Sequence, residues 1–129
     1  CLGEALGGMY GNPPRPVIPH GLCCTLFMPW MMEYNAMTDP VKHANVARLL
    51  GENTQGLSLI EAAKKSVDGI KRLIQTVELP TGLKACGVEE KDLEAIAERA
   101  VWNVSMASNP RPLNYDVFLD ILKKAYQGW

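Results

Sequence analysis

Apolar residues recur along this 129-residue chain at three- and four-residue spacing. No stretch alternates with period two for long enough to predict a strand. Leu2, Ala5, Leu6 and Met9 predict a helix over 1–9, and the proline-rich residues 10–19 predict a loop. From His20 to Asn35 the apolar positions fall on two stripes, Leu22, Leu26, Pro29 and Met32 on one and Cys23, Phe27, Trp30 and Tyr34 on the other. A helix apolar on nearly all sides is expected to be buried on most of them. Pro29 lacks an N–H and is expected to kink or split it.

Caps mark the later helices. Asp39-Pro40 reads as N-cap and first helical residue, with Val41, Ala44, Ala47 and Leu50 as the stripe and Gly51 as the stop. Ser58 and Glu61 form a capping box for a helix that carries Leu59, Ala62, Ala63, Val67, Ile70, Ile74 and Val77 and reaches Leu79, where Pro80 ends it. Residues 81–87 connect to a helix over 88–103 with Leu93, Ile96, Ala97 and Ala100 inside. Asn109 to Pro112 predict a turn. Asn114 caps a last helix whose inner face is Val117, Phe118, Ile121, Leu122 and Ala125. The prediction is an all-α fold, a helical bundle of about five or six helices in one domain over 1–129.

With 47% hydrophobic and 21% charged residues the chain can bury a core. Its net charge of −1 gives no electrostatic case for nucleic acid or an anionic membrane surface. Every apolar run is interrupted well short of the roughly 18 residues a membrane span needs. The chain begins with Cys1 rather than Met and shows no signal-peptide pattern, so it is expected to be processed or a fragment. Cys1, Cys23, Cys24 and Cys86 are expected to be thiols of a cytoplasmic protein, because Cys23 and Cys24 are adjacent and no C-x₂-C pair exists. The sequon Asn103-Val104-Ser105 would then be unmodified.

The candidate chemistry lies at Pro19-His20-Gly21. His20 could ligate a divalent metal, with Gly21 leaving room beside the imidazole, or it could cap the helix or bond a loop carbonyl. His43 reads as a surface residue. Cys23 and Cys24 read as core or pocket-lining, and Arg111 as a structural partner of helix termini. The run P-H-G-x₇-P-x₄-Y-N, the preceding Leu6-Gly7-Gly8-Met9-Tyr10-Gly11 and the later Asn109-Pro110-Arg111-Pro112-Leu113 resemble, in that order, the C-terminal domain of the iron-containing (group III) alcohol dehydrogenases.

That resemblance implies a dehydroquinate synthase-like helical domain and makes His20 a metal ligand. It places a position that is commonly histidine in the family, near nicotinamide and substrate, at Glu4. A glutamate there is a departure, either a proton-relay or outer-shell residue or an ordinary solvated one. It implies Fe(2+) or Zn(2+), and NAD or NADP bound mainly by an N-terminal α/β domain absent from these residues. The implied activity is oxidation of an alcohol or reduction of an aldehyde or ketone, with the isolated chain inactive. The alternatives are a non-enzymatic truncated module, or a relative such as a hydroxyacid-oxoacid transhydrogenase, maleylacetate reductase or glycerol dehydrogenase. A homo-oligomer is also expected, formed through residues 1–10 and the central helix where Leu2, Leu6 and Met9 would lack cover.

Overall fold

The computed structural model describes residues 1–129 and contains six α-helices, three short 3₁₀ turns and no strand. The helices are α1 (Leu2–Met9), α2 (His20–Asn35), α3 (Pro40–Leu49), α4 (Leu59–Thr76), α5 (Leu93–Ala100) and α6 (Tyr115–Gln127). They are divided between two compact units, residues 1–27 with 80–129, and residues 28–79. The boundary falls inside α2, one residue before Pro29. Pro29 does not split α2. It removes one ladder bond, to the Thr25 carbonyl, and the turns on either side keep theirs. Burial along α2 is narrower than its composition suggests: Cys23, Leu26, Phe27 and Pro29 are buried, whereas Cys24 and Met28 are exposed.

In the first unit α5 packs against both α1 and α6. Leu93, Ile96, Ala97 and Ala100 of α5 and Phe118, Ile121 and Leu122 of α6 are buried, as their spacing predicts. Asn114 Oδ1 accepts from the Val117 N–H at 2.9 Å and caps α6. Leu2 and Leu6, expected to lack cover, are buried within this unit, whereas Met9 is half-buried. The helix predicted over 88–103 is shorter. Glu89 is extended, its N–H donated to the Tyr10 hydroxyl at 2.9 Å, and a 3₁₀ turn at Glu90–Asp92 leads into α5. A long-range bond therefore sets a boundary that local propensity placed five residues earlier.

The second unit is built on α3 against α4. Asp39 Oδ1 accepts from the Lys42 N–H at 2.9 Å, and both halves of the Ser58–Glu61 capping box form. The contact is made by small side chains, Ala44 and Ala47 facing Ala62, Ala63, Ser66 and Gly69. A Cβ at Gly69 would stand 2.8 Å from Leu50 Cβ, so glycine is what permits this approach. Val41, Leu59 and Val77, counted on the inner stripes by sequence, are exposed. The 10-residue α3 cannot cover the 18-residue α4, which overhangs by roughly 12 Å. Arg72 bridges the gap at one end, pairing with Glu52 and donating to the Leu50 carbonyl at 2.7 Å.

α4 stops at Thr76 rather than Leu79, and the stop is not Pro80. Leu79 N–H bonds the Ile74 carbonyl at 3.2 Å and Glu78 N–H the Gln75 carbonyl at 3.0 Å, with Glu78 at φ 56°. This is the left-handed closure that glycine usually supplies. Glu78→Gly should therefore raise stability by about 0.5–1 kcal/mol, because it relieves the Cβ strain. A urea midpoint that does not rise would show that the glutamate carries a compensating contact.

Candidate metal-binding turn at His20

The turn is built from the loop inward. Tyr10 closes α1, its N–H on the Leu6 carbonyl at 2.8 Å, and its own carbonyl accepts from the Ile18 N–H at 2.8 Å. The proline-rich segment between them, with a cis Pro13–Pro14 peptide, is thus pinned at its two ends. The Pro19 carbonyl accepts from the Cys23 N–H at 3.0 Å, which makes Pro19 the entry to α2 and His20 its first residue. A Cβ at Gly21 would meet nothing within 4 Å, so no neighbouring side chain or backbone demands glycine and the space beside the imidazole is open.

His20 is exposed. Its Nε2 lies 3.4 Å from Cys24 Sγ, one helical turn on. α1 meets this part of α2 through glycines: a Cβ at Gly3 would come within 3.0 Å of Cys24 Sγ, and one at Gly7 within 3.7 Å of Cys23 Sγ. The two adjacent cysteines have different surroundings. Cys23 is buried with its thiol donated to the Ile18 carbonyl at 3.5 Å, and burial pushes its pKa up to about 11. Cys24 is exposed.

Glu4 lies on the exposed side of α1. Its Oε2 accepts from Asn103 Nδ2 at 2.7 Å. His43, expected at the surface, is half-buried with Nδ1 3.2 Å from Ser66 Oγ. The Ser66 hydroxyl already donates to the Ala63 carbonyl, so the imidazole is the donor in that pair.

As a metal centre the residues fit in part. An exposed imidazole at the head of a helix is the right donor type for iron or zinc. No group of three or more His, Cys, Asp or Glu side chains converges to complete a donor set. An ion on His20 would draw further donors from outside these residues.

Sequence patterns missed the strongest polar cluster near the turn. Tyr10 is fully buried, and its hydroxyl donates to Asp92 Oδ2 at 2.7 Å while accepting from Glu89 N–H. Arg15 Nη2 reaches Asp92 Oδ1 at 3.1 Å and Oδ2 at 3.0 Å, and its guanidinium lies 5.1 Å from the Tyr10 ring centroid. The cluster fastens the loop before His20 to the start of α5. Its members are too far apart in the chain for any local signal; a tyrosine directly after a helix and a lone Arg among prolines were the only hints.

The chain matches the model of the Fe-containing alcohol dehydrogenase family, C-terminal, over residues 2–126. It is 34% identical over 126 residues to 1,3-propanediol dehydrogenase of Klebsiella pneumoniae, covering 98% of this chain and 31% of that protein. It is 32% identical over 124 residues to NAD-dependent methanol dehydrogenase of Bacillus methanolicus, covering 96% and 31%. The solved alcohol dehydrogenase from Oenococcus oeni superposes with a TM-score of 0.85 at 37% identity, over 97% of this chain and 31% of that one. The chain thus spans under a third of the length of these relatives. A family match running from α1 to α6, on an all-helical fold that solved members share, means that this chain belongs to the iron-containing alcohol dehydrogenase family and corresponds to its C-terminal region.

Proposed function

We propose that this chain is the helical, metal-holding part of an NAD(P)-linked alcohol dehydrogenase and that His20 is one of the ligands of its Fe(2+) or Zn(2+) ion. The observation that carries the reading is the exposed imidazole heading α2, beside open space at Gly21, in a chain of this family. A bound ion would act as a Lewis acid on the oxygen of a small alcohol or aldehyde. The chain's own part is to present the imidazole on a helix whose approach loop is fastened by Tyr10, Arg15 and Asp92. The nicotinamide cofactor would be held mainly by an α/β domain outside residues 1–129, in a cytoplasmic enzyme. Glu4, exposed on α1 and hydrogen-bonded to Asn103, would serve as a proton relay at the edge of the site.

In the enzyme that carries this chain, His20→Ala should remove bound metal and alcohol oxidation together while far-UV circular dichroism stays unchanged. Metal analysis that finds the same stoichiometry in the variant would refute the assignment.

A further inference from the structure

We propose that Asn103 is a positioning residue, whose side-chain amide holds Oε2 of Glu4 and leaves Oε1 as the oxygen that carries the proton. The inference rests on the relay reading of Glu4 given above. Asn103 follows α5, and its backbone N–H bonds the Ala100 carbonyl at 3.2 Å. Its Oδ1 accepts from the Ser105 N–H at 2.9 Å and caps the 3₁₀ turn Val104–Ser108. That bond fixes which end of the amide faces α1. The oxygen is committed to the backbone, so Nδ2 is the end that meets Glu4, at 2.7 Å. The contact ties the end of α5 to α1 across 99 positions, between two helices that already pack together.

An exposed glutamate on a helix otherwise samples several rotamers, whereas a relay group must stand in one place. A bond to a half-buried asparagine removes much of that freedom. The kind of donor matters as much as the bond. A hydroxyl or an imidazole in this place would pass a proton along, but a carboxamide N–H donates a hydrogen bond without giving its proton up. Oε2 is thereby kept out of the proton path. A proton leaving the alcohol reaches Glu4 at Oε1 and makes it neutral. It then leaves from Oε1 to solvent, which the exposure of Glu4 permits, so the carboxylate is restored and no electron moves in this step. The N–H bond is stronger to a carboxylate than to a carboxylic acid, so it returns Glu4 to its accepting form after each transfer.

Steady-state alcohol oxidation by the enzyme that carries this chain tests it, in four variants checked for parental metal content and circular dichroism. Glu4→Gln should lower kcat about a hundredfold. Asn103→Ala should lower kcat roughly tenfold while KM for the alcohol stays unchanged. Asn103→Asp is the discriminating change. It keeps the side-chain size and the oxygen that accepts from Ser105, but turns a second oxygen toward the Glu4 carboxylate. Its kcat should fall at least as far as that of Asn103→Ala. Glu4→Gln combined with Asn103→Ala should be no slower than Glu4→Gln alone, because a positioning residue acts only through the group it positions. If Asn103→Asp keeps the full kcat, Asn103 is a cap and nothing more, and the proposal fails with the relay standing. Losses that multiply in the double variant also overturn it. A Glu4→Gln enzyme that runs at the parental rate removes the relay reading, and the role of Asn103 goes with it.

Discussion

Asp92→Ala is expected to lower the stability of the protein by about 2–4 kcal/mol. Asp92 is 6% exposed and holds two partners. The Tyr10 hydroxyl is fully buried, so losing its acceptor leaves a donor unpaired, at about 1–3 kcal/mol. Arg15 fares better, because its side chain is 35% exposed and can turn to water. The remainder comes from the loop, which loses its tie to α5. Tyr10→Phe should cost about 1–2 kcal/mol, because it strands the Glu89 N–H instead. The double variant should cost less than the sum, since both changes break one bond. Urea unfolding of the three variants decides it; a strictly additive pair would mean that the hydroxyl and carboxylate act independently. pH gives a second reading. Burial, reinforced by Asp92, raises the Tyr10 pKa above its ordinary value near 10. The neutral phenol is thus favoured in the fold; its contribution is intact below pH 10 and lost as pH climbs through the raised value. Tyr10→Phe should remove that alkaline loss.

Gly11→Ala should cost about 2–3 kcal/mol, a large penalty for one methyl group on a loop. A Cβ at Gly11 would lie 2.5 Å from the Gly7 carbonyl oxygen. That oxygen belongs to the last turn of α1 and cannot swing away as a side chain would. Moving Gly11 instead pulls on Tyr10, whose hydroxyl is fixed to Asp92 and whose carbonyl is fixed to Ile18. Either α1 frays or the buried cluster opens. A loss under about 0.5 kcal/mol in urea unfolding would mean that the loop relaxes freely and that the cluster does not brace it.

What the sequence disclosed follows from the range of the forces involved. The capping box at Ser58 and Glu61, the Asp39 and Asn114 caps and the inner face of α5 depend on residues three or four apart, and all formed as read. The inner stripes of α3 and α4 were misjudged at Val41, Leu59 and Val77 because exposure there depends on how far a neighbouring helix extends. Ser66 and Gly69 add nothing to the apolar stripe, yet their small size is what brings α3 and α4 together. At the candidate site, His20 was legible as a histidine heading an apolar helix. Its closeness to Cys24 was implicit in the spacing and not used. The Tyr10–Asp92 bond spans 82 positions, and no local pattern anticipates a contact of that kind.

The first unit is assembled from residues 1–27 and 80–129, with residues 28–79 intervening. The second needs only its own contiguous stretch. During synthesis the α3–α4 pair can therefore form while the ribosome is still making what α1 must pack against. The loop that leads to His20 waits longer, since Glu89 and Asp92 must emerge before Tyr10 and Arg15 have anything to hold. Closing so long a span costs chain entropy before any contact repays it. The segment that carries the imidazole is made before Glu89 and Asp92 and ordered only after them.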